Sequence, residues 1–258
     1  MKTDTTEISQ KLFALYVLLS AFFLGNAVLA EFVGVKIFSV EQALGFIKDT
    51  ASSGKINMSI GVIIWPFVFL TSDLLNEYFG KKGVRRISFI TAGFIVYASL
   101  VVYIGTKLPP ARFWLEANSI DTAGNTFNIN LAYQTIFRQG IRIIIGSVTA
   151  FLVSQMVDVY VFRYFRHITG HRHLWIRATG STVISQLIDS FLILYIAFHI
   201  LGNWTLQQVV AIGIVQYMYK VGLAIVLTPL IYLAHFFIDK YLGKVNSGGA
   251  FRIENKIE

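Results

Sequence analysis

The amino-acid sequence predicts an all-α membrane protein with about six transmembrane helices in one bundle. Of its 258 residues, 55% are hydrophobic and only 14% are charged, and the mean hydropathy is +0.63. Soluble domains contain roughly 25% charged residues, because they need a polar surface. The apolar residues also occur in long runs, which is typical of helices that cross a bilayer.

Six stretches contain about the 20 mostly apolar residues that are needed to cross the bilayer core. They are residues 12–30, 59–79, 87–107, 141–162, 178–200 and 209–238. The length of the first stretch argues against a cleavable signal peptide. We expect residues 1–240 to form one six-helix transmembrane domain and residues 241–258 to form a cytoplasmic tail.

Basic residues are unevenly distributed between the loops. The two termini and the loops at residues 80–86 and 163–177 contain 14 Lys and Arg residues, whereas the opposite loops contain 6. Basic loops stay in the cytoplasm, so the pattern predicts a multi-pass protein of the inner (plasma) membrane with both termini cytoplasmic. The same rule explains the formal net charge of +8, so we expect the chain to contact the lipid bilayer and no nucleic acid.

The sequence argues against several catalytic and metal-binding sites. It contains no Cys, which excludes thiol catalysis and Cys-based metal sites. It has no H-E-x-x-H, G-x-S-x-G or P-loop motif. The three His at residues 166–173 lie in a basic loop, where contact with headgroups is a simpler interpretation than a metal site. We therefore expect no enzyme, no cofactor and no bound metal.

Ionisable side chains occur inside the predicted spans, where each costs about 2.5–3.5 kcal/mol on insertion scales. Asp189 and Lys220 lie near the middles of the fifth and sixth spans, and we expect them to face a common cavity and to neutralise each other. Further candidates for substrate contact are Asp73, Asn76, Glu77, Arg142 and Asp158. For Glu77, Arg142 and Asp158, pairing or snorkelling near the interface is an equally good interpretation.

One five-residue pattern occurs twice. Residues 154–158 in the fourth span read SQMVD, and residues 185–189 in the fifth span read SQLID. The two spans run in opposite directions, so the pattern suggests an inverted repeat of the kind found in transporters. A chance match is as good an explanation.

Each copy of this pattern places a carboxamide near a carboxylate. Gln155 and Asp158, and likewise Gln186 and Asp189, are three residues apart and therefore share one face of a helix. Acceptors, donors and a charge on one face suit a flat heterocycle with ring N–H and amino groups, such as a purine. Trp65, next to Pro66, is a candidate stacking partner, although aromatic residues in membrane helices more often face lipid.

Several segments of the chain resemble the queuosine-precursor transporter family, also called the vitamin uptake transporter family. The most specific segment is residues 65–82, which read WPFVFLTSDLLNEYFGKK and are followed by Arg85 and Arg86. Arg142, residues 154–162, residues 181–189 and residues 219–221 add to the resemblance, which runs from the first span to the last. The chain departs from the pattern in its long first external loop, residues 36–58, and its longer tail.

The resemblance implies an inner-membrane importer of deazaguanine precursors of queuosine, a modified tRNA nucleoside. The substrate is left open between the cyano precursor preQ0, the aminomethyl precursor preQ1 and the free base queuine. On this interpretation, Asp189 and Asp158 accept from the donor edge of the base, and Gln155 and Gln186 orient it. Lys220 or Arg142 donates to its carbonyl, and Asp73, Asn76 and Glu77 form a gate or second contact.

Two other functions stay open. The main alternative is a substrate-capture subunit of a multi-subunit, ATP-driven uptake system for vitamins or purine-like compounds. Such a subunit docks through small residues on its first helix, and the pairs Ala21/Gly25 and Ala30/Gly34 match that spacing. The second alternative, a membrane enzyme or scaffold, fits poorly with buried charges and no catalytic motif. Assembly as a homodimer is also left open.

Overall fold

Helices account for nearly all of the described chain. The computed structural model describes residues 2–45, 57–138, 141–169 and 174–243, and side chains throughout these ranges except at residues 2–6, 57, 141, 142 and 174. The helices are α1 (Lys2–Val33), α2 (Val40–Ala43), α3 (Gly61–Gly105), α4 (Arg112–Ala117), α5 (Ile129–Arg138), α6 (Ile141–Thr169), α7 (Leu174–Leu194) and α8 (Leu206–Tyr241). The end of α7 continues as a π-helical segment, Tyr195–Ile200.

Among the described residues, five helical stretches are long and apolar enough to cross a bilayer. They are Glu7–Val33, Gly61–Gly105, Ile129–Thr169 apart from the undescribed residues 139 and 140, Trp175–Ile200 and Leu206–Tyr241. The prediction of an all-α, multi-pass membrane protein is therefore confirmed. The predicted boundary at residue 240 lies one residue before the end of α8, and most of the predicted tail lies outside the described residues.

The 45-residue helix α3 contains two of the six predicted spans. Gly80 has φ 67° and ψ −174°, which breaks the helix at a conformation that glycine adopts without steric cost. A straight helix of this length would be about 67 Å long at 1.5 Å per residue. Instead, Trp65 from the first half and Val102 from the second half line the same cavity. The chain therefore reverses at Gly80, inside the basic segment.

The main core lies between α1, both halves of α3, and α6. Phe23, Val68, Leu75 and Ile95 are almost fully buried there and pack with Phe151. Near the middle of α1, the Tyr16 hydroxyl donates to the Gly83 carbonyl next to the reversal. At the C-terminal end of α1, the Cα of Gly34 lies close to Gly61, so the first half of α3 runs back alongside α1.

Helices α6, α7 and α8 form the other side of the bundle. A side chain at Gly146 of α6 would collide with Ala197 of the π-helical segment, and one at Gly213 of α8 would collide with Phe191 of α7. These two glycines therefore allow close helix crossings. At the start of α8, the Thr205 hydroxyl and the Gln208 side chain form a capping box, which satisfies backbone N–H groups at the helix end.

Short elements cover the end of the bundle opposite the basic loops. β1 (Ile37–Ser39) and β2 (Asn57–Ser59) form an antiparallel pair with Ile37 opposite Ser59. In the loop after α4, the Asp121 carboxylate accepts from the backbone N–H groups of Asn125 and Ala123, and these bonds lower the pKa of Asp121. Arg138 of α5 donates to the carbonyl and the hydroxyl of Thr106 just after α3, which fixes α5 at this end.

Candidate functional site

A cavity of about 570 Å³ lies inside the bundle. It reaches from Gly34 and Ser59, at the end covered by the strand pair, to Asp73 and Ile231 near its floor. Its size is within the range of about 300–1,000 Å³ that is usual for small-molecule sites. Both halves of α3 and the helices α1, α6, α7 and α8 contribute to its wall, as expected for a site in a helix bundle.

Most of the cavity wall is apolar, with aromatic rings at several levels. Trp65 lines the cavity and stacks on Phe69, with 5.8 Å between the ring centroids. Tyr219 of α8 and Trp204, which follows the π-helical segment, also line it. Such rings offer flat faces to a planar ligand, and the few polar side chains between them would fix its orientation.

Asp189 and Lys220 form an ion pair in this wall. The Lys220 Nζ lies 2.6 Å from the Asp189 Oδ2, and the two side chains are 18% and 17% exposed, respectively. Both residues line the cavity. The prediction that they face a common cavity and neutralise each other is therefore confirmed. An ion pair open to a cavity can exchange partners with a polar ligand, since each charged group has further hydrogen-bonding capacity.

The two copies of the repeated pattern contact each other reciprocally. Ser154 of α6 donates to the Asp189 Oδ1 at 3.3 Å, and Ser185 of α7 donates to the Asp158 Oδ1 at 3.1 Å. Each Ser therefore binds the Asp of the opposite copy. Two antiparallel helices related by a local two-fold axis produce such a reciprocal pair of hydrogen bonds. The contacts therefore support the interpretation of an inverted repeat.

The two glutamines of the pattern differ in their surroundings. Gln155 donates to the Ser72 hydroxyl of α3 and is not part of the cavity wall. Gln186 lines the cavity and is 1% exposed, and neither its Nε2 nor its Oε1 has a hydrogen-bond partner among the described residues. Leaving such a group unpaired costs about 1–3 kcal/mol. A group with this cost is suited to binding a ligand.

Unpaired polar atoms also occur in the first half of α3. Asp73 is 3% exposed and lines the cavity, and its Oδ1 has no hydrogen-bond partner among the described side chains and backbone. Asn76, one turn further on, is 1% exposed and has both side-chain polar atoms unpaired within the described structure. Asn76 lies beyond the cavity wall, so of these two residues Asp73 is the one that lines the cavity.

Glu77 lies at the closed end of the bundle. Its carboxylate binds Arg177 of α7 at 2.9 Å, and the two side chains are only 8% and 3% exposed. Nearby, the Tyr78 hydroxyl donates to Asp239 of α8 at 2.9 Å and lies 2.8 Å from the Nδ1 of His235. These contacts join α3 to α7 and α8 below the cavity. Arg177 is thus a buried ion-pair partner inside α7.

The predicted site residues separate into three groups. Those in the cavity wall are Asp189, Gln186, Lys220, Asp73 and Trp65. Those placed elsewhere in the bundle are Asp158, Gln155, Asn76 and Glu77. Arg142 belongs to α6, but its side chain lies outside the described part of the chain.

The cavity also contains a carboxyl group that belongs to none of the sequence motifs. Glu31, in the last turn of α1, lines the cavity and accepts a hydrogen bond from Ser147 of α6. Its position at the end of a span is the only sequence signal for it. Ser147 gives none, because single serines are common in membrane helices.

Comparison with known proteins identifies the family. Residues 59–234, more than half of the chain, match the family described as "Putative vitamin uptake transporter". The chain is 29% identical to the "Probable queuosine precursor transporter" of Bacillus subtilis (strain 168) over 220 residues, which are 85% of this chain and 89% of that protein. It is 28% identical to the "Queuosine precursor transporter" of Escherichia coli (strain K12) over 167 residues, or 64% of this chain and 67% of that protein.

A third relative, the "Probable queuosine precursor transporter" of Haemophilus influenzae, is 26% identical over 170 residues, or 65% of this chain and 63% of that protein. No solved structure matches the chain. The family and all three relatives are named as transporters, so the chain has a transport role and not an enzymatic one. Since the match extends over most of the helical bundle, the chain belongs to the vitamin uptake transporter family.

Proposed function

We propose that this protein imports a 7-deazaguanine precursor of queuosine across the inner membrane for tRNA modification. The observation that carries the proposal is a cavity inside a membrane bundle whose wall contains polar atoms, at Gln186 and Asp73, that have no partner among the described residues. Unpaired polar groups at a span's centre are costly and mark substrate pathways. The names of the three relatives point to the same class of substrate.

The exposed edges of a deazaguanine match the free groups in the cavity. One edge of the base carries a ring N–H and an exocyclic amine. A carboxylate can accept a hydrogen bond from each of these two groups at the same time. The adjacent carbonyl needs a donor. Within the described structure, Asp73 supplies a carboxylate oxygen without a partner, and Gln186 supplies an N–H donor and an acceptor without partners. We therefore assign base recognition to these two residues.

The ion pair and the aromatic rings complete the proposed site. Asp189 and Lys220 present a carboxylate and an ammonium group to the same cavity. The aminomethyl precursor carries a positive charge that Asp189 would attract, whereas the cyano precursor presents an acceptor that Lys220 would favour. Trp65 and Tyr219 are placed to stack on the ring system. Asp158, Gln155, Asn76 and Glu77 would act through packing, and Arg142 is a further candidate for direct contact.

The proposal includes an orientation. The basic segments, including the reversal at Gly80 and the loop before α7, face the cytoplasm, and the strand pair and α4 face outward. The cavity then opens away from the cytoplasm, and the contacts of Glu77 and Tyr78 close its inner end. Because the chain has no Cys, single-Cys labelling tests this directly. An impermeant thiol reagent applied to spheroplasts should label Ala123→Cys and spare Arg86→Cys; the reverse result would invert the topology.

The function is tested by queuosine formation in a host that lacks precursor synthesis and its own transporter. With low external precursor, the chain should restore queuosine in tRNA, and titrations with preQ0, preQ1 and queuine should identify the preferred form. Gln186→Met should lose this activity at low precursor concentration. Glu116→Gln is the matched control, because Glu116 is an exposed carboxylate paired with Arg112 outside the bundle. Failure of the wild-type chain, once found in the membrane, would exclude the proposed substrate.

The small residues on α1 support testing the alternative that the chain is a capture subunit. The Ala30/Gly34 pair is used inside the protein, where it contacts Gly61. Ala21 and Gly25 are exposed on α1, and the space beside Gly25 is empty, so this pair is open to another helix. Uptake by the chain alone, in a host without the ATPase module, supports the importer. Uptake that appears only with the module supports the capture subunit. A homodimer would use such a face as well, and it stays a prediction.

A further inference from the structure

Glu31 is the carboxyl group in the cavity that substrate recognition leaves unused. It lies in the last turn of α1, and its Oε1 accepts a hydrogen bond from the Ser147 hydroxyl of α6. Both residues belong to the cavity wall that also contains Asp189 and Lys220. This contact joins two helices from different parts of the bundle, since α1 packs mainly on α3, and α6 packs mainly on α7.

The described charged groups around Glu31 include no basic partner for it. In the cavity, α7 presents Asp189, α8 presents Lys220, and the first half of α3 presents Asp73. Lys220 is held by Asp189 at 2.6 Å, and His199 of the π-helical segment is bonded to the Trp204 carbonyl. Among the described side chains, none of Lys, Arg or His lies within ion-pair distance of Glu31. On α6, Arg142 is the one charged residue near Ser147 in sequence, and its side chain is not described.

A carboxylate in a membrane cavity needs a counter-charge, a proton or the hydrogen-bond donors of a ligand. Asp189 and Glu77 have counter-charges in Lys220 and Arg177, and Asp73 faces the donor edge of the base in the proposed site. Glu31 has a hydroxyl group instead, and a hydroxyl is both a donor and an acceptor. Ser147 can therefore donate to the ionised carboxylate and accept from the protonated acid, so the contact between α1 and α6 is kept in both states.

We propose that Glu31 is the proton-binding site that couples substrate import to the proton gradient. The proposal rests on the proposed function and adds its energy source. Glu31 takes up a proton from the outside while substrate occupies the cavity, and the neutral side chain allows the bundle to close around both. On the cytoplasmic side the proton leaves with the substrate. A metal cation would need several oxygen ligands, and a group of three or more His, Asp or Glu is not found in the described ranges.

The test uses the purified full chain in proteoliposomes with a labelled deazaguanine precursor. Counterflow exchange, with no ion gradient, measures binding and reorientation alone. Accumulation driven by an acidic exterior measures coupling. The wild-type chain should do both, and a protonophore should abolish only the accumulation. Counterflow by Glu31→Gln should stay within about twofold of the wild-type value. Its gradient-driven accumulation should be at least tenfold lower than that of the wild type. Glu31→Asp should retain coupling, and Glu116→Gln should match the wild type in both assays.

The possible failures point to different errors. No counterflow by the wild-type chain would remove the proposed function itself. Normal counterflow with no effect of the proton gradient, or with accumulation driven by a sodium gradient, would overturn the proton site and leave the function standing. Accumulation by Glu31→Gln equal to that of the wild type would do the same. If Glu31→Gln loses counterflow while Glu31→Asp keeps it, Glu31 contacts substrate and the coupling role is wrong.

If Glu31→Gln cannot be purified as a folded protein, Ser147→Ala decides. Removing the hydroxyl leaves the carboxyl in place and withdraws a hydrogen bond that favours its ionised form. The external pH at which accumulation is half-maximal should then move upward, with counterflow preserved. An unchanged pH profile in Ser147→Ala would count against Glu31.

Discussion

The two copies of the Ser-Gln-x-x-Asp pattern have nearly the same sequence but different surroundings. In the α7 copy, Asp189 forms an ion pair with Lys220 in the cavity wall, and Gln186 beside it has no partner among the described residues. In the α6 copy, Asp158 is 4% exposed and accepts from Ser185, and Gln155 donates to Ser72. The α7 copy therefore has hydrogen-bonding groups that are available to a ligand. The corresponding groups of the α6 copy bond to neighbouring helices.

The neighbouring helix explains the difference. The first half of α3 covers the α6 copy, and its Ser72 hydroxyl takes the hydrogen bond of Gln155. The α7 copy faces the cavity and α8, where Lys220 supplies the single counter-charge. We propose that these two antiparallel segments have different roles: the α6 copy holds the bundle together, and the α7 copy is placed to bind.

The largest effect is expected from Asp189→Asn. The change leaves Lys220 in the membrane without a counter-charge, and breaking a buried pair in this way costs roughly 3–5 kcal/mol. The lower end applies here, because both side chains are partly exposed to the cavity. Thermal unfolding of the purified protein should show a large drop in Tm, and uptake should fall at least 100-fold. The double change with Lys220→Met should recover most of the lost Tm. Simple additivity of the two single changes would contradict the coupling.

The second effect separates the two glutamines. Gln186→Met keeps the side-chain length and removes polar atoms that have no partner, so Tm should stay constant or rise. Substrate affinity should fall by roughly 10- to 150-fold, which corresponds to one hydrogen bond of about 1.5–3 kcal/mol to a polar ligand. Gln155→Met is the matched control, and it should have the opposite effects on Tm and Kd. It leaves the Ser72 hydroxyl unpaired and should lower Tm with little change in Kd. Equal Kd values for the two variants would contradict the division between the copies.

Much of the fold could be predicted because bilayer insertion is a local property of the sequence. Runs of apolar residues gave the spans, and the deep positions of Asp189 and Lys220 predicted their pairing, since neither charge is tolerated alone at that depth. The reversal at Gly80 was also anticipated by the basic residues that follow it. These inferences need only the position of a residue along its own helix.

The composition of the cavity wall could not be predicted in the same way. Whether Asp158 or Asp189 faces the cavity depends on how each helix is rotated against its neighbours, and the two copies have the same local pattern. The pairing of Glu77 with Arg177 joins residues 100 positions apart. The Glu31–Ser147 contact joins α1 to α6, and neither residue belongs to a motif. Such contacts are determined by the packing of distant segments.

A smaller effect is expected from Asp158→Asn. The asparagine oxygen can still accept from Ser185, so the loss is the difference between a charged and a neutral acceptor, about 1 kcal/mol. Tm should fall by a few degrees, and Kd should not change, because Asp158 lies outside the cavity wall. Equilibrium binding of labelled precursor to the purified protein checks this. A tenfold or greater loss of affinity would mean that Asp158 reaches the substrate in another conformation of the bundle.

The smallest effects are expected from the two serines that cross-link the copies. Ser154→Ala removes a 3.3 Å bond to Asp189, which keeps its ion pair with Lys220, so the free energy of unfolding should fall by less than about 1 kcal/mol. Ser185→Ala removes a shorter bond, at 3.1 Å, from an Asp158 that has no ion pair among the described residues, and it should cost about twice as much. Denaturant unfolding in mild detergent gives both values. If the copies are functionally divided, Ser154→Ala should raise Kd slightly by loosening Asp189, whereas Ser185→Ala should change stability alone. A larger stability loss for Ser154→Ala than for Ser185→Ala would show that the α7 copy, despite its open cavity, contributes more to holding α6 and α7 together.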